Sequence, residues 1–479
     1  MKKIYFRADA SSAIGYGHFI RTLALADMLK KDFDCTFFTV NPTPYQVLEM
    51  EKVCKHILLK ADTFLDDFLE LLEGDEVIVL DNYFYTTDYQ KQIKAKGCCL
   101  VCIDDMHDKH YVADVVINHG VSKKDLFSVE SYTQLCLGYD WALLRHPFLQ
   151  LSRRGVPNKQ IENAVICFGG TDSNNLTERF ASFLQKVPTI KRIIAAVGDR
   201  HQTCKSNAQS KVTYLRNLSA DEMADLFSKS DIAFLSASTV CLEALSQNLP
   251  IAAGYYVDNQ KGMYSEYVSH NLIYPLGDLL DIDIDKIDYS SIVKNRASWG
   301  TLNFNLIPGR YKMLFHNMFV PKEFHKNNLC FIDYRALDEH QHSLIWHARN
   351  DDSIRFQMEH TELIPWKSHL AYVKSLSAQY RKIYWAVYKE DKLIGSVNIE
   401  YDSVSEVERG IFILPEFWGK GDAALIDKSL FETLQEQGIT SVAAKVLKNN
   451  SRSLHFHLKL GYKLVSDDEK YNYLVKDLK

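Results

Sequence analysis

Lys2-Lys3-Ile4-Tyr5-Phe6-Arg7-Ala8-Asp9 reads as a buried strand, and Gly15-Tyr16-Gly17 separates it from a helical pattern, His18 to Lys30, with Ile20, Leu23, Leu25 and Leu29 on its apolar side. A strand that passes through a glycine turn into a helix is the repeating unit of a parallel sheet. The unit recurs outward along the chain. Glu76 to Leu80, Cys98 to Ile103 and Asp114 to Ile117 are further buried strands, and the polar run Ser152-Arg153-Arg154-Gly155-Val156-Pro157-Asn158-Lys159 reads as a linker. A second series follows. Ala164 to Phe168 is a strand ending in Gly169-Gly170-Thr171-Asp172 before a helical pattern from Leu176 to Val187. Arg192 to Val197 is the next strand, and Asp231 to Leu235 runs into Ser236-Ala237-Ser238-Thr239 and the helix that carries Glu243. Two doubly wound halves in succession imply a cleft between them, where ligands of such folds bind.

Beyond Pro321 the pattern changes. Lys382 to Tyr388 and Lys392 to Glu400 are strand-like and joined by Glu390-Asp391, a hairpin signal. Arg409 to Leu414 is a strand closed by Pro415, Ala423 to Gln437 an amphipathic helix, and Val442 to Leu447 another strand. The expected fold is therefore α/β, with two Rossmann-like halves over residues 1–150 and 160–320, followed by an α+β domain over 328–479.

The chain of 479 residues is 46% hydrophobic and 24% charged, the balance of a globular protein, and its net charge of −5 argues against a nucleic-acid binder. No apolar run is long enough to span a membrane, and no signal-like stretch follows Met1-Lys2-Lys3, so a cytoplasmic location with no membrane partner is the expectation. The ten cysteines do not recur in paired zinc spacing, and Cys98, Cys99 and Cys102 fall in one apolar run. They read as buried thiols in a reducing compartment, and no metal is expected.

The strand ends carry the chemistry. Glycines at Gly15 and Gly17 let the backbone approach a ligand, and the helix start offers free N–H groups to an anion. Histidine exchanges protons near neutral pH, so His18 can serve as a base; a turn with a capping histidine is the plainer reading of the same residues. Gly170, Thr171, Ser236, Ser238 and Thr239 repeat the arrangement as candidate phosphate contacts. Glu243, one turn into its helix, is placed to reach a ribose hydroxyl.

The run Phe6-Arg7-Ala8-Asp9-Ala10-Ser11-Ser12-Ala13-Ile14-Gly15-Tyr16-Gly17-His18-Phe19-Ile20-Arg21 resembles the opening of the UDP-sugar hydrolases of pseudaminic acid biosynthesis. Ile103-Asp104-Asp105, Ile117-Asn118, Leu137-Gly138-Tyr139, Leu143-Leu144-Arg145, Phe168-Gly169-Gly170-Thr171-Asp172 and Ser236-Ala237-Ser238 continue the resemblance in order, over residues 1–318. That family has the two-domain glycosyltransferase B architecture, similar to the peptidoglycan enzyme MurG. It hydrolyses UDP-2,4-diacetamido-2,4,6-trideoxy-β-L-altropyranose to UDP and the free sugar. The resemblance implies that His18 is the general base for water, that Gly17 and Arg21 contact the substrate, and that Tyr83 and Asn259 act with His18. Asn82 stands where the family usually has histidine, which weakens the match at Tyr83.

Pro415-Glu416-Phe417-Trp418-Gly419-Lys420-Gly421-Asp422-Ala423 joins a strand to a helix and resembles the pyrophosphate loop of GNAT acetyltransferases. Trp418 replaces the usual Arg or Gln at the head of that motif. Asn450-Ser451-Arg452-Ser453 with Lys459-Leu460-Gly461-Tyr462 resembles the late GNAT signature. The resemblance implies acetyl-CoA as cosubstrate, held by Ile411, Ile413, Gly419, Lys420, Gly421, Ala423, Asn450 and Ser453. It puts His457 where many GNAT enzymes have the tyrosine that protonates the departing thiolate. His347-Ala348-Arg349-Asn350-Asp351 resembles a segment found early in acetyltransferases that act on 4-amino UDP-sugars. Together the resemblances imply two consecutive steps on one UDP-linked amino sugar, acetylation of UDP-4-amino-4,6-dideoxy-N-acetyl-β-L-altrosamine and hydrolysis of the product. The alternative is a MurG-like glycosyltransferase fused to an unrelated protein N-acetyltransferase.

Overall fold

Apolar runs without polar alternation suit strands covered on both faces, and Val77, Ile78, Val79 and Leu80 are all fully or almost fully buried. The structure, a computed structural model, describes residues 2–9, 16–150, 161–169, 172, 174–198, 210–289, 291–292, 302, 304–377 and 379–478. Gly15, Gly170, Thr171 and the linker at 152–159 lie outside the described residues. The chain divides into two units, Met1–Tyr311 and Lys312–Lys479.

Among the described residues the first unit holds two large parallel sheets and a two-stranded one, His110–Tyr111 with Ser128–Val129. One large sheet has seven strands in the order Lys55–Leu58, Asp34–Thr39, Lys3–Ala8, Val77–Asp81, Cys99–Ile103, Val115–Asn118, Gln134–Leu137. The other has six, in the order Val212–Arg216, Arg192–Val197, Asn163–Cys167, Ile232–Ser236, Ile251–Tyr255, Tyr274–Asp278. In each large sheet the first strand of the series lies centrally and the chain reverses direction beside it, the Rossmann-like winding that opens a crevice at the strands' C-terminal ends. The expected fold class is the one observed. Cysteines fill the cores: burial, with Glu76 adding to it, pushes the Cys98 thiol up to about 12.

The second unit is an eight-stranded sheet in the order Glu323–Lys326, Leu329–Asp333, Lys382–Lys389, Lys392–Tyr401, Glu406–Ile413, Ser441–Leu447, Tyr471–Asp477, Lys463–Asp467. Its pairs are antiparallel except that Glu406–Ile413 and Ser441–Leu447 run parallel. Glu390 and Asp391 close the central hairpin with φ of 49° and 60°, the left-handed pair that a two-residue turn of the right twist requires. The Asp422–Glu436 helix buries Ile426, Leu430 and Leu434 against the sheet, at the i, i+4, i+8 spacing of an amphipathic helix. Among the described residues no helix is long and apolar enough to cross a membrane.

Candidate active sites

In the first unit the sheet's C-terminal edge gathers the predicted residues. Ala8 pairs with Asp81 at the ends of neighbouring strands, and the Gly17–Leu29 helix starts above them with no side-chain cap at its N-terminus. His18 is buried in its first turn. Its Nδ1 lies 2.6 Å from Asp81 Oδ1. Arg21 Nη2 lies 3.0 Å from the same nitrogen, but the carboxylate is closer and needs a donor. Nδ1 therefore carries the proton, and Nε2 is left with its lone pair.

Asp81 is the hub of this cluster. Oδ2 accepts from Arg21 Nε at 2.7 Å and from Thr22 Oγ1 at 2.8 Å, and Oδ1 from Arg21 Nη2 at 2.6 Å. Burial alone would raise its carboxyl, but Arg21 and His18 outweigh it and hold the group well below the usual carboxylate range. Arg21 is thus committed to Asp81 and, at 3.1 Å, to Asp105. The substrate contact expected of it is confined to the guanidinium edge not engaged by these carboxylates.

Tyr83 packs edge-on against the His18 ring, centroids 4.6 Å apart. Its hydroxyl donates to Asp105 Oδ2 at 3.2 Å and accepts from Asn259 Nδ2 at 3.1 Å. Burial, then Asp105, pushes the Tyr83 phenol up to about 12, so it stays a donor at neutral pH. The structure thus brings His18, Tyr83 and Asn259 together, although Asn259 is 176 residues from Tyr83 in sequence. Asn82, at the position of the family's histidine, ties down the first strand: its Oδ1 accepts from Asp9 N at 2.8 Å. Gly17 is exposed, with open space where a side chain would project.

The two helix starts of the second sheet differ. At Leu176–Gln185 the Asp172 carboxylate already accepts from Leu176 N and Thr177 N, each at 2.8 Å. That occupies two of the N–H groups at this helix start, while Gly170 and Thr171, the phosphate contacts expected here, lie outside the described residues. At Thr239–Ser246 no side chain caps the helix, so the Thr239 and Val240 N–H groups remain available to an anion, while Cys241 N–H bonds Ser238 O. Ser238 and Thr239 are half-buried there and Ser236 is buried. His119 is buried, and burial, then Arg21, pulls its imidazole down to about 3. Its Nδ1 accepts from Leu143 N at 3.2 Å, which leaves Nε2–H to donate to Thr239 Oγ1 at 3.2 Å and turns the Thr239 hydroxyl hydrogen toward other acceptors.

Glu243 grips Arg145 with both oxygens, Oε1 to Nε and Oε2 to Nη2, each 2.8 Å. A buried bidentate pair makes a testable demand. Glu243→Ala leaves a guanidinium with little exposure unpaired, a loss of about 3–5 kcal/mol that thermal unfolding will read as a lower Tm. The Arg145→Ala/Glu243→Ala double variant recovers a large part of it, because neither charge is then stranded. A double variant less stable than Glu243→Ala would mean that the pair is not what stabilises this region.

In the second unit, pairing between Glu406–Ile413 and Ser441–Leu447 stops at Glu408↔Ala443. Past that point the strands part, which exposes Ile411 and Ile413 backbone to a slot. The loop above it turns on Gly419 and Gly421, φ 75° and 88°, values that favour glycine. Gly421 is the N-cap of Asp422–Glu436 and no side chain caps it. Lys420 is exposed beside Gly421, and Ala423 is half-buried in the first turn. Trp418, where the motif usually has Arg or Gln, donates its Nε1–H to Ile413 O at 2.8 Å. The Arg452 guanidinium lies over the Trp418 ring, 4.2 Å from its centroid. A cation is thus returned to the loop from a different part of the sequence.

Asn450 Oδ1 accepts from Ser453 N at 3.0 Å, capping the Ser451–Lys459 helix, and this leaves the Asn450 amide N–H₂ free to donate. His457 is buried with Nδ1 2.7 Å from Ser453 O. Nδ1–H therefore donates to that carbonyl and Nε2 carries the lone pair. Burial, then Arg409, pulls the imidazole down to about 4. As placed, His457 accepts a proton or hydrogen bond rather than delivering one, which runs against the acid role the resemblance implied. Arg409 bonds Asp427 Oδ2 at 2.7 Å and Tyr462 Oη at 3.0 Å beside it, all buried.

The sequence reading assigned no role to Asp81, Asp105, His119, Arg145 or Arg452. Asp81 had a usable signal: an acid closing the apolar run Val77-Ile78-Val79-Leu80 is costly unless paired. The others depend on partners far away in the chain.

A double Rossmann-like unit with a histidine–carboxylate pair at its strand ends, joined to a sheet with parting strands and a glycine loop, defines an enzyme chain of two kinds: one part resembles UDP-sugar hydrolases, the other GNAT acetyltransferases. Residues 333–463 match the family model described as Acetyltransferase (GNAT) domain. The chain is 24% identical to an uncharacterized protein of Methanocaldococcus jannaschii over 96% of both chains. It is 28% identical to the UDP-2,4-diacetamido-2,4,6-trideoxy-β-L-altropyranose hydrolase of Campylobacter jejuni, over 54% of this chain and 93% of the relative. A further relative is the acetyltransferase PseH of C. jejuni, 24% identical over 30% of this chain and 89% of its own. The crystal structure of C. jejuni PseH with acetyl coenzyme A covers 32% of this chain and 99% of its own at 21% identity, with a TM-score of 0.26.

Proposed function

We propose that the chain carries out two consecutive steps on a UDP-linked amino sugar. The second unit transfers an acetyl group from acetyl-CoA to the 4-amino group of UDP-4-amino-4,6-dideoxy-N-acetyl-β-L-altrosamine. The first unit hydrolyses the resulting UDP-2,4-diacetamido-2,4,6-trideoxy-β-L-altropyranose. The observation that carries the hydrolytic reading is the Asp81–His18 pair with Tyr83 and Asn259 around it.

Asp81 fixes Nδ1 as the protonated nitrogen, so Nε2 takes the proton from a water as its oxygen bonds to the anomeric carbon. The bond from that carbon to the phosphate oxygen breaks, and its electron pair leaves on UDP. The uncapped N-terminus of Thr239–Ser246, with the hydroxyls of Ser238 and Thr239, suits the diphosphate that gains this charge. Glu243 is part of that helix, and its pair with Arg145 braces it; Glu243 reaches a ribose hydroxyl only through lone pairs that Arg145 leaves free. Titration calorimetry with UDP tests this placement: Ser238→Ala should weaken UDP binding, and unchanged affinity would move the nucleotide elsewhere. In the second unit the coenzyme A pyrophosphate is taken by the N–H groups after Gly421, with Arg452 supplying positive charge. Arg452→Ala should raise KM for acetyl-CoA about fivefold with kcat little changed; an unaltered KM removes Arg452 from the coenzyme site.

The same His18–Asp81 pair would deprotonate an acceptor hydroxyl in a glycosyltransferase. Incubating the protein with the acetylated UDP-sugar alone separates the two, since only a hydrolase releases a stoichiometric amount of UDP without an acceptor.

A further inference from the structure

Outside both sites, Glu323, His325 and Cys330 meet on the first hairpin of the second unit's sheet. We propose that these three side chains form a binding site for a thiophilic divalent metal ion, Zn²⁺ above all. The backbone puts them there. Asn327 and Asn328, with φ of 51° and 60°, close a two-residue turn between Glu323–Lys326 and Leu329–Asp333, and such a turn fixes register. His325 pairs directly with Cys330, and Glu323 lies two residues before His325. Strand side chains alternate, so all three share one face. The opposite face is committed to the core, where Phe324 stacks on Phe331 at 4.4 Å and meets Trp385 edge-on. A slip of register that would scatter the three is therefore blocked.

The spacing suits coordination. His325 Nε2 lies 3.2 Å and Cys330 Sγ 3.8 Å from Glu323 Oε1, and the three donor atoms fall within 4.8 Å of one another. Ligands about 2.0–2.3 Å from a tetrahedral zinc sit about 3.3–3.7 Å apart, so small side-chain rotations place an ion among them. A thiolate, an imidazole and a carboxylate select zinc-like ions over Ca²⁺ or Mg²⁺, which want oxygen alone. Glu323 and His325 are exposed and Cys330 is half-buried, so an ion has access and water completes its fourth position. The ion would clip the outermost strand, Glu323–Lys326, to its neighbour, where an edge is otherwise held only from one side.

The test is a Co²⁺ titration of the full chain, free of any affinity tag. One equivalent should produce a near-ultraviolet sulfur-to-cobalt charge-transfer band with tetrahedral visible bands, all bleached by Zn²⁺. Cys330→Ser should remove the charge-transfer band, and His325→Ala should keep the band but weaken Co²⁺ binding at least tenfold. Both substitutions are on the surface-facing side of the hairpin, and far-ultraviolet dichroism checks that the sheet is intact. Absence of the band at saturating Co²⁺, or a band that survives Cys330→Ser, overturns the proposal.

Discussion

His18→Ala should cut UDP release by about 10²–10⁴-fold, the range a positioned general base commonly supplies, while acetyl transfer by the same protein proceeds at its normal rate. The size follows from the division of labour at the cleft. UDP is a competent leaving group once helix N–H groups and hydroxyls meet its charge, so what remains for the protein is to aim one water and take its proton. His18, packed against Tyr83, turns Nε2 toward this work because Asp81 holds its other nitrogen at 2.6 Å. Asp81→Asn probes that orientation separately. An amide at this place can donate to Nδ1 and so favour the wrong tautomer, and UDP release should fall even though His18 is still present. Arg21 keeps Asp105 as a counter-charge, which protects the fold in this variant. Near-wild-type hydrolysis by His18→Ala would remove the residue from the mechanism; near-wild-type hydrolysis by Asp81→Asn alone would leave His18 as base but without need of its carboxylate.

How much of this could be read from sequence depended on whether the information was local. Glu76 to Leu80 and Cys98 to Ile103 were legible as buried strands because both faces are covered, and the Glu390-Asp391 hairpin because the two flanking strand patterns leave only three residues between them. His18 was legible because a glycine turn, a helix start and a histidine are contiguous. What sequence could not show is what the residues do to one another across the fold. Asp172 looked like part of a phosphate loop, yet its carboxylate caps the N–H groups of Leu176 and Thr177 at the helix that follows. Glu243 looked free to meet a ribose, yet Arg145, 98 residues earlier, holds both its oxygens. Trp418 looked like a missing cation, yet Arg452 lies over it. His457 shows the limit most clearly: its place in the motif suggested an acid, and a single carbonyl, Ser453 O, decides which nitrogen carries the proton.

Gly421→Glu should lower acetyl transfer by about 100-fold or more, about 2.7 kcal/mol of transition-state binding, and leave the hydrolase unit intact. Two effects act together at this position. Its φ of 88° belongs to the region glycine adopts freely, so a glutamate there carries strain of about 1–3 kcal/mol. A glutamate also sets its carboxylate at the uncapped start of Asp422–Glu436, where it competes for the N–H groups the coenzyme A pyrophosphate needs and repels that pyrophosphate. Gly421→Asn separates the two, since asparagine tolerates this backbone and brings no charge; it should lose far less activity. The variant also tests the order of the two reactions. Given the 4-amino UDP-sugar and acetyl-CoA, Gly421→Glu should leave most of the substrate neither acetylated nor hydrolysed, and adding the acetylated UDP-sugar should restore UDP release at the wild-type rate. If the variant instead hydrolyses the unacetylated sugar as fast as wild type handles the acetylated one, acetylation does not precede hydrolysis and the two units do not act in series.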